Sequence, residues 1–152
     1  MCFSSAKARK MQAQCQREVV ELHGFLVNWM SGAVPRSAAA FARFADVLAD
    51  GFALISPRGV ITERRPLLRE LEAAHGVHRA DDPGFRIELR EFRHRRTEGA
   101  LCLVTYEEWQ QLSGTATGRI SSAWFRARSD TPHGVEWLHV HETWLPDGRD
   151  NP

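Results

Sequence analysis

Three groups of side chains in this chain could carry chemistry. His139 and His141 form an His-x-His pair inside Val135-Glu-Trp-Leu-His-Val-His-Glu-Thr-Trp-Leu145, a stretch that reads as one strand between Pro132-His133-Gly134 and Pro146-Asp147-Gly148. Alternate side chains of a strand share a face, so the two imidazoles point the same way, as two ligands of one zinc ion must. A site needs a third ligand, the spacing offers none, and only 11 residues follow His141. Hydrogen-bonded packing against another strand or a second subunit explains the pair without a metal, and none is expected. The second group is Tyr106, the only tyrosine, with Glu108 two residues on and Glu142 in the last strand. A carboxylate buried beside a phenol in a cavity has a raised pKa, and the two then supply a base and a hydrogen-bond donor. Glu142, Tyr106 and Glu108 are therefore the candidate catalytic residues. The third group is Arg86, Arg90, Arg93, Arg95 and Arg96, interleaved with Glu88, Glu91 and Glu98. The arginines fall on both faces, so the pattern predicts a solvated strand laced by cross-strand ion pairs and no nucleic-acid groove.

These groups must be held by elements the sequence also announces. Val19, Leu22, His23, Leu26, Trp29 and Met30 recur at helical spacing up to Ser31-Gly32. Ser37 caps a second helix with Phe41, Phe44, Ala45 and Leu48 on its apolar face, ended by Asp50-Gly51. Phe52–Ser56 and Val60-Ile61 predict a short hairpin, and Thr62 the cap of a third helix carrying Leu67, Leu68 and Leu71. Beyond Gly84 the period changes to two. Strands are predicted over 85–96, 100–112, 115–128 and 135–145, with turns at Thr97-Glu98-Gly99 and Ser113-Gly114. Helices first and antiparallel strands later define an α+β fold: three N-terminal helices on a strongly curved antiparallel sheet, a short hairpin plus a four-strand meander.

Composition narrows the function classes. The 152 residues suit one domain, taken as 14–146, with flexible termini at 1–13 and 147–152. A net charge of +1 gives no global attraction to nucleic acid or anionic membrane. No run approaches the roughly 20 apolar residues of a membrane helix. The N-terminal segment lacks the apolar run of a secretory signal, and Cys2, Cys15 and Cys102 show no disulfide or metal spacing, so a cytoplasmic protein with free thiols is expected.

Two stretches, Leu48-Ala-Asp-Gly-Phe-Ala-Leu-Ile-Ser-Pro-Arg-Gly59 and Trp137-Leu-His-Val-His141, resemble the SnoaL-like, nuclear-transport-factor-2-like superfamily of cystatin-like cones, and small bacterial SnoaL-like domains in particular. The resemblance implies a cone with an internal pocket. In the related kinase association domains, the pocket residues of the last strand match Val140, Glu142 and Trp144. By that likeness the even-numbered face is concave, with Trp29, Tyr106, Trp124, Val140, Glu142 and Trp144 lining a cavity. The opposite face, with Trp137, His139 and His141, then packs outward in a homodimer. The isomerase branch is a poorer match. Ser56, before Pro57, stands where its general-base Asp would be, Phe25 near its Tyr, and Trp124 near its second Asp. The expected function is a module that binds a small hydrophobic or aromatic ligand without a cofactor. Two alternatives stand beside it: a cyclase, isomerase or dehydratase acting on a hydrophobic carbonyl compound, and a non-catalytic assembly domain. A filled aromatic core, its carboxylates paired with Arg126, would satisfy the same pattern.

Overall fold

The long N-terminal helix sets the geometry. In the computed structural model, which describes residues 2–79 and 84–146, α1 spans Cys2–Ser31. Met11, Cys15, Val19 and Leu22 are buried along it at three- and four-residue intervals, with Trp29 two turns further on, a stripe that faces the core. That stripe continues upstream of Val19, so the leader expected to be loose through Ala13 is helical from Cys2. The expected flexible tail at 147–152 lies outside the described residues.

Two shorter helices follow, α2 (Ala38–Ala45) and α3 (Arg64–Ala73). The Ser37 hydroxyl accepts from the Ala40 N–H, as the capping rule predicts. Thr62, in contrast, lies in a strand, and α3 begins after Glu63 without a side-chain cap. The strands are β1 (Leu48–Ile55), β2 (Ile61–Glu63), β3 (Arg86–Glu98), β4 (Leu101–Leu112), β5 (Thr115–Ala127) and β6 (Val135–Trp144). Asp50-Gly51 does not end α2. The two residues fall within β1, where the pairing with β6 shifts register.

The architecture is the α+β arrangement expected, three helices on a curved sheet of six strands in the order β2-β1-β6-β5-β4-β3. β3 to β6 form the antiparallel meander, while β1 joins β6 in parallel, so the sheet is mixed. Ser113 and Gly114 both have positive φ, 49° and 83°, which matches the twist of a two-residue hairpin. Their turn pairs Leu112 with Thr115 and so fixes the register of everything on β4 and β5. The arginines of β3 pair mainly along their own strand, Arg90 with Glu88, Arg93 with Glu91 and Arg96 with Glu98, two residues apart. These contacts replace the cross-strand pairs predicted and leave the strand solvated, with alternating charge.

A buried ion pair ties helices to sheet. Glu18 is wholly buried on α1, with Arg43 Nη2 of α2 at 2.8 Å and the Trp137 Nε1 of β6 donating to it at 3.0 Å. Among the described residues no helix is long and apolar enough to cross a membrane.

Candidate functional site

Between α1 and the inner face of the sheet lies a cavity of about 210 Å³. Leu22 and Leu26 of α1, Phe44 of α2, Leu67 and Leu71 of α3, and Phe52 and Leu54 of β1 make most of its wall. Trp137 and Val140 of β6 complete the apolar part. The polar side chains are His23, Tyr106, Glu108, Gln110, Arg119 and Glu142, from α1 and the three adjacent strands β4, β5 and β6.

Their order follows from register. Tyr106 and Glu108 share the inner face of β4, since neighbouring side chains alternate. Across the Ser113-Gly114 turn, Glu108 pairs with Arg119 and Tyr106 with Ser121. Ser121 in turn pairs with Glu142, and Ala123 with Val140. The inner face therefore uses even residues on β4, odd ones on β5 and even ones again on this part of β6.

His23 completes the cluster from the helix. Its Nδ1 lies 2.7 Å from the Val19 carbonyl oxygen and its Nε2 2.9 Å from Glu108 Oε1. Both partners are acceptors, so both ring nitrogens donate and the ring is an imidazolium. Burial works against that charge, but the Glu108 charge and its hydrogen bond outweigh it and raise the His23 pKa. Glu108 shows the complementary balance. Burial alone would raise it, yet His23, the Gln110 amide and Arg119 together hold it down at about 2.

Glu142 has much weaker support. Among the described residues it is held by Arg119, with Nη1 3.4 Å from Oε2, long for a charge-assisted contact. Burial, followed by the charge of Glu108, pushes Glu142 up to about 7, against the pull of Arg119. Arg119 in turn stacks over Trp144, its guanidinium carbon 4.8 Å from the ring centroid, and its buried Nε has no hydrogen-bond partner. Tyr106 is driven well above its ordinary pKa by burial and then by the two carboxylates, so it stays a neutral phenol. The site thus holds a carboxyl near its midpoint at neutral pH, a neutral phenol, and a guanidinium with unused donors.

Tyr106, Glu108, Val140 and Glu142 line the cavity. Trp144 is half-buried beside Arg119 and does not form the wall. Trp29 is buried among the helices, its Nε1 donating to the Leu71 carbonyl at 2.7 Å and its ring 5.0 Å from Phe41 and 4.6 Å from His75. Trp124 lies on the outer face opposite His139, because the two-residue turn reverses parity between β4 and β5. Trp137, assigned to the outer face, is buried and lines the cavity instead. The cause is a register shift between Trp124 and Phe125, which brings Phe125 opposite Trp137 while His139 stays outside. Arg126 bonds Glu136 and not Glu142. Among the described residues no group of three or more His, Cys, Asp or Glu is placed to hold a metal ion.

Sequence reasoning missed His23, Gln110 and Arg119 as site residues. His23 carried a signal, a titratable side chain on the buried stripe of α1, four residues after Val19. Arg119 was reachable by counting back from the turn to its partner Glu108.

The helices packed across a curved mixed sheet, with a pocket in the concave face, define a nuclear-transport-factor-2-like cone. Solved structures agree. An NTF2-like protein of unknown function from Pseudomonas aeruginosa superposes with a TM-score of 0.74 at 21% identity, covering 87% of this chain and 98% of that one. The CaMKII hub of S. rosetta gives 0.62 at 10% identity, covering 88% and 95%. A ketosteroid-isomerase-like protein from Parabacteroides distasonis gives 0.55 at 10% identity, covering 84% and 86%. The chain belongs to the sucrose-6-phosphate phosphohydrolase C-terminal family, whose pattern matches residues 15–146. Sucrose-phosphatase 1 of Nicotiana tabacum is 23% identical over 129 residues, which is 84% of this chain but 30% of that protein.

Proposed function

We propose that this chain is a small-molecule-binding module, with residues 14–146 as its working unit, and that its ligand is compact and largely hydrophobic or aromatic with one polar head. The observation that carries this is the hollow inner face, an apolar cavity of about 210 Å³ with its polar groups gathered on one side. A filled core would leave no such space, since interiors pack nearly as densely as organic crystals. The family match raises a sugar phosphate as a ligand, but a disaccharide is polar all over, and walls of Leu, Phe and Val offer its hydroxyls few partners. The test is a thermal-shift and calorimetric screen of small aromatic and alicyclic compounds, with Val140→Phe as the cavity-filling control. Binding that Val140→Phe abolishes supports the reading. A screen in which no compound class binds refutes it.

Glu142 favours a second reading. A buried carboxyl raised to about 7 beside Tyr106 has the setting of a general base acting on a hydrophobic carbonyl compound. Deuterium exchange into the α-carbon of small ketones in heavy water, lost in Glu142→Gln, would support it. No exchange above the buffer rate would remove it. In either reading, the outer face with Trp124, His139 and His141 serves as a homodimer contact, since it offers a half-buried indole of the kind enriched at interfaces. The described cysteines, Cys15 and Cys102, are free and buried, which fits a reducing compartment such as the cytoplasm.

A further inference from the structure

We infer that the cavity is built for a small monocarboxylic acid with a compact apolar body, taken as the anion together with one proton that Glu142 accepts from solvent. This rests on the ligand-binding reading above and names the ligand class.

Five ionisable groups face the cavity: His23 from α1, Tyr106 and Glu108 from β4, Arg119 from β5 and Glu142 from β6. The lining side chains of α2, α3 and β1 are all Leu or Phe. Tyr106 is neutral, and His23 cancels Glu108 across a 2.9 Å contact that engages both ring nitrogens. That leaves Arg119 and Glu142. Their 3.4 Å contact is long, and Arg119 Nε has no partner. Arg119 is thus the one cavity cation whose donors are incompletely used.

A ligand carboxylate would complete it, because a guanidinium presents a fork of donors matched to two oxygens. The incoming anion cannot sit beside an ionised Glu142, since two adjacent carboxylates in a dry site repel strongly. If Glu142 is protonated, the repulsion vanishes. Its O–H then donates to the second ligand oxygen while Arg119 turns to the first. The cavity carries one net positive charge in that state, which the ligand neutralises. The position of Glu142 at about 7, set first by burial and then by Glu108, makes this proton cheap to add near neutrality. Size agrees as well. An apolar cavity of about 150 Å³ holds benzene, so 210 Å³ accommodates a ring with a short carboxylate arm.

The test is calorimetry of the full chain with phenylacetate, phenylacetamide and phenylethanol, near pH 6 and pH 8, in two buffers of different ionisation enthalpy. The expected result is that phenylacetate binds, takes up one proton, and weakens about tenfold for each pH unit above the Glu142 titration. In Glu142→Gln, phenylacetate should still bind but with the pH dependence gone, because the amide mimics the protonated acid. Phenylacetate binding without proton uptake overturns the inference. So does binding of the amide or alcohol in place of the acid, which leaves the ligand-binding reading standing. Silence from all three, together with an empty wider screen, removes both.

Discussion

Replacing Glu142 by Gln should stabilise the protein at alkaline pH and do little at mildly acidic pH. The folded state holds this carboxyl at about 7 where its ordinary value is 4.5. A value raised on folding gives stability that is full below about 4.5 and lost as pH rises through about 7. At about 1.4 kcal/mol per pH unit, the ionised native state is penalised by about 3 kcal/mol at most. The pull of Arg119 is already included in that value, so Gln, which mimics the protonated acid, removes the penalty as it stands. The expected gain is therefore about 2–3 kcal/mol near pH 8 and shrinks to under about 1 kcal/mol near pH 5. His23 contributes too. Its raised value gives stability below about 6.5 that is lost as pH rises through the folded value. That slope is largely common to both proteins, although removing the Glu142 charge trims it. Urea unfolding at intervals from about pH 5 to 8, analysed as the difference between variant and parent, reads the effect directly. A variant that loses stability equally at every pH would refute the reasoning, since Glu142 would then be an ordinary ion-pair partner of Arg119.

Three further outcomes follow from the geometry. Trp144→Ala should cost about 1–2 kcal/mol by urea unfolding, well below the roughly 3–5 of a filled-core tryptophan, because the ring is half-buried and its main partner is the Arg119 guanidinium. Glu18→Ala should cost about 2–4 kcal/mol by thermal unfolding, because it takes the buried acceptor from the Trp137 indole N–H and leaves Arg43 with Glu21 alone; a loss below about 1 would mean that Glu21 suffices for Arg43 and that the indole N–H finds another acceptor. Light scattering should give twice the 17.2 kDa chain mass, and Trp124→Glu should return a monomer; a parent protein that is monomeric at micromolar concentration ends the dimer proposal.

Much of the fold was legible because local rules set it. The change from helical to strand period, the Ser37 cap and the Ser113-Gly114 turn each act within a few residues. The apolar stripe of α1 was legible too, although its upstream part at Met11 lies in the segment expected to be loose. Within a strand the site was equally legible. Tyr106 with Glu108, and Val140 with Glu142, share faces for the single reason that side chains alternate. Between strands the same reasoning fails unless register is counted. The hairpin pairs residues whose numbers sum to an odd value, Tyr106 with Ser121 for example, so Trp124 had to face outward once Tyr106 faced in. Trp137 was beyond such counting, since the register shift that turns it inward lies in the middle of a strand pair.

What no local rule could supply is the division of labour between the two carboxylates. Glu108 and Glu142 look alike in sequence, each on an inner face near aromatic residues. Their difference is made by His23, 85 residues from Glu108 and brought to it only by the packing of α1 on β4. Had α1 docked one turn further along, Glu108 would lose its imidazolium, and its burial would then raise it as burial raises Glu142. The functional asymmetry of the cavity therefore resides in a helix–sheet contact more than in either acid. Conserving that contact keeps one carboxylate permanently charged, and so leaves the other as the group whose proton can come and go with a ligand.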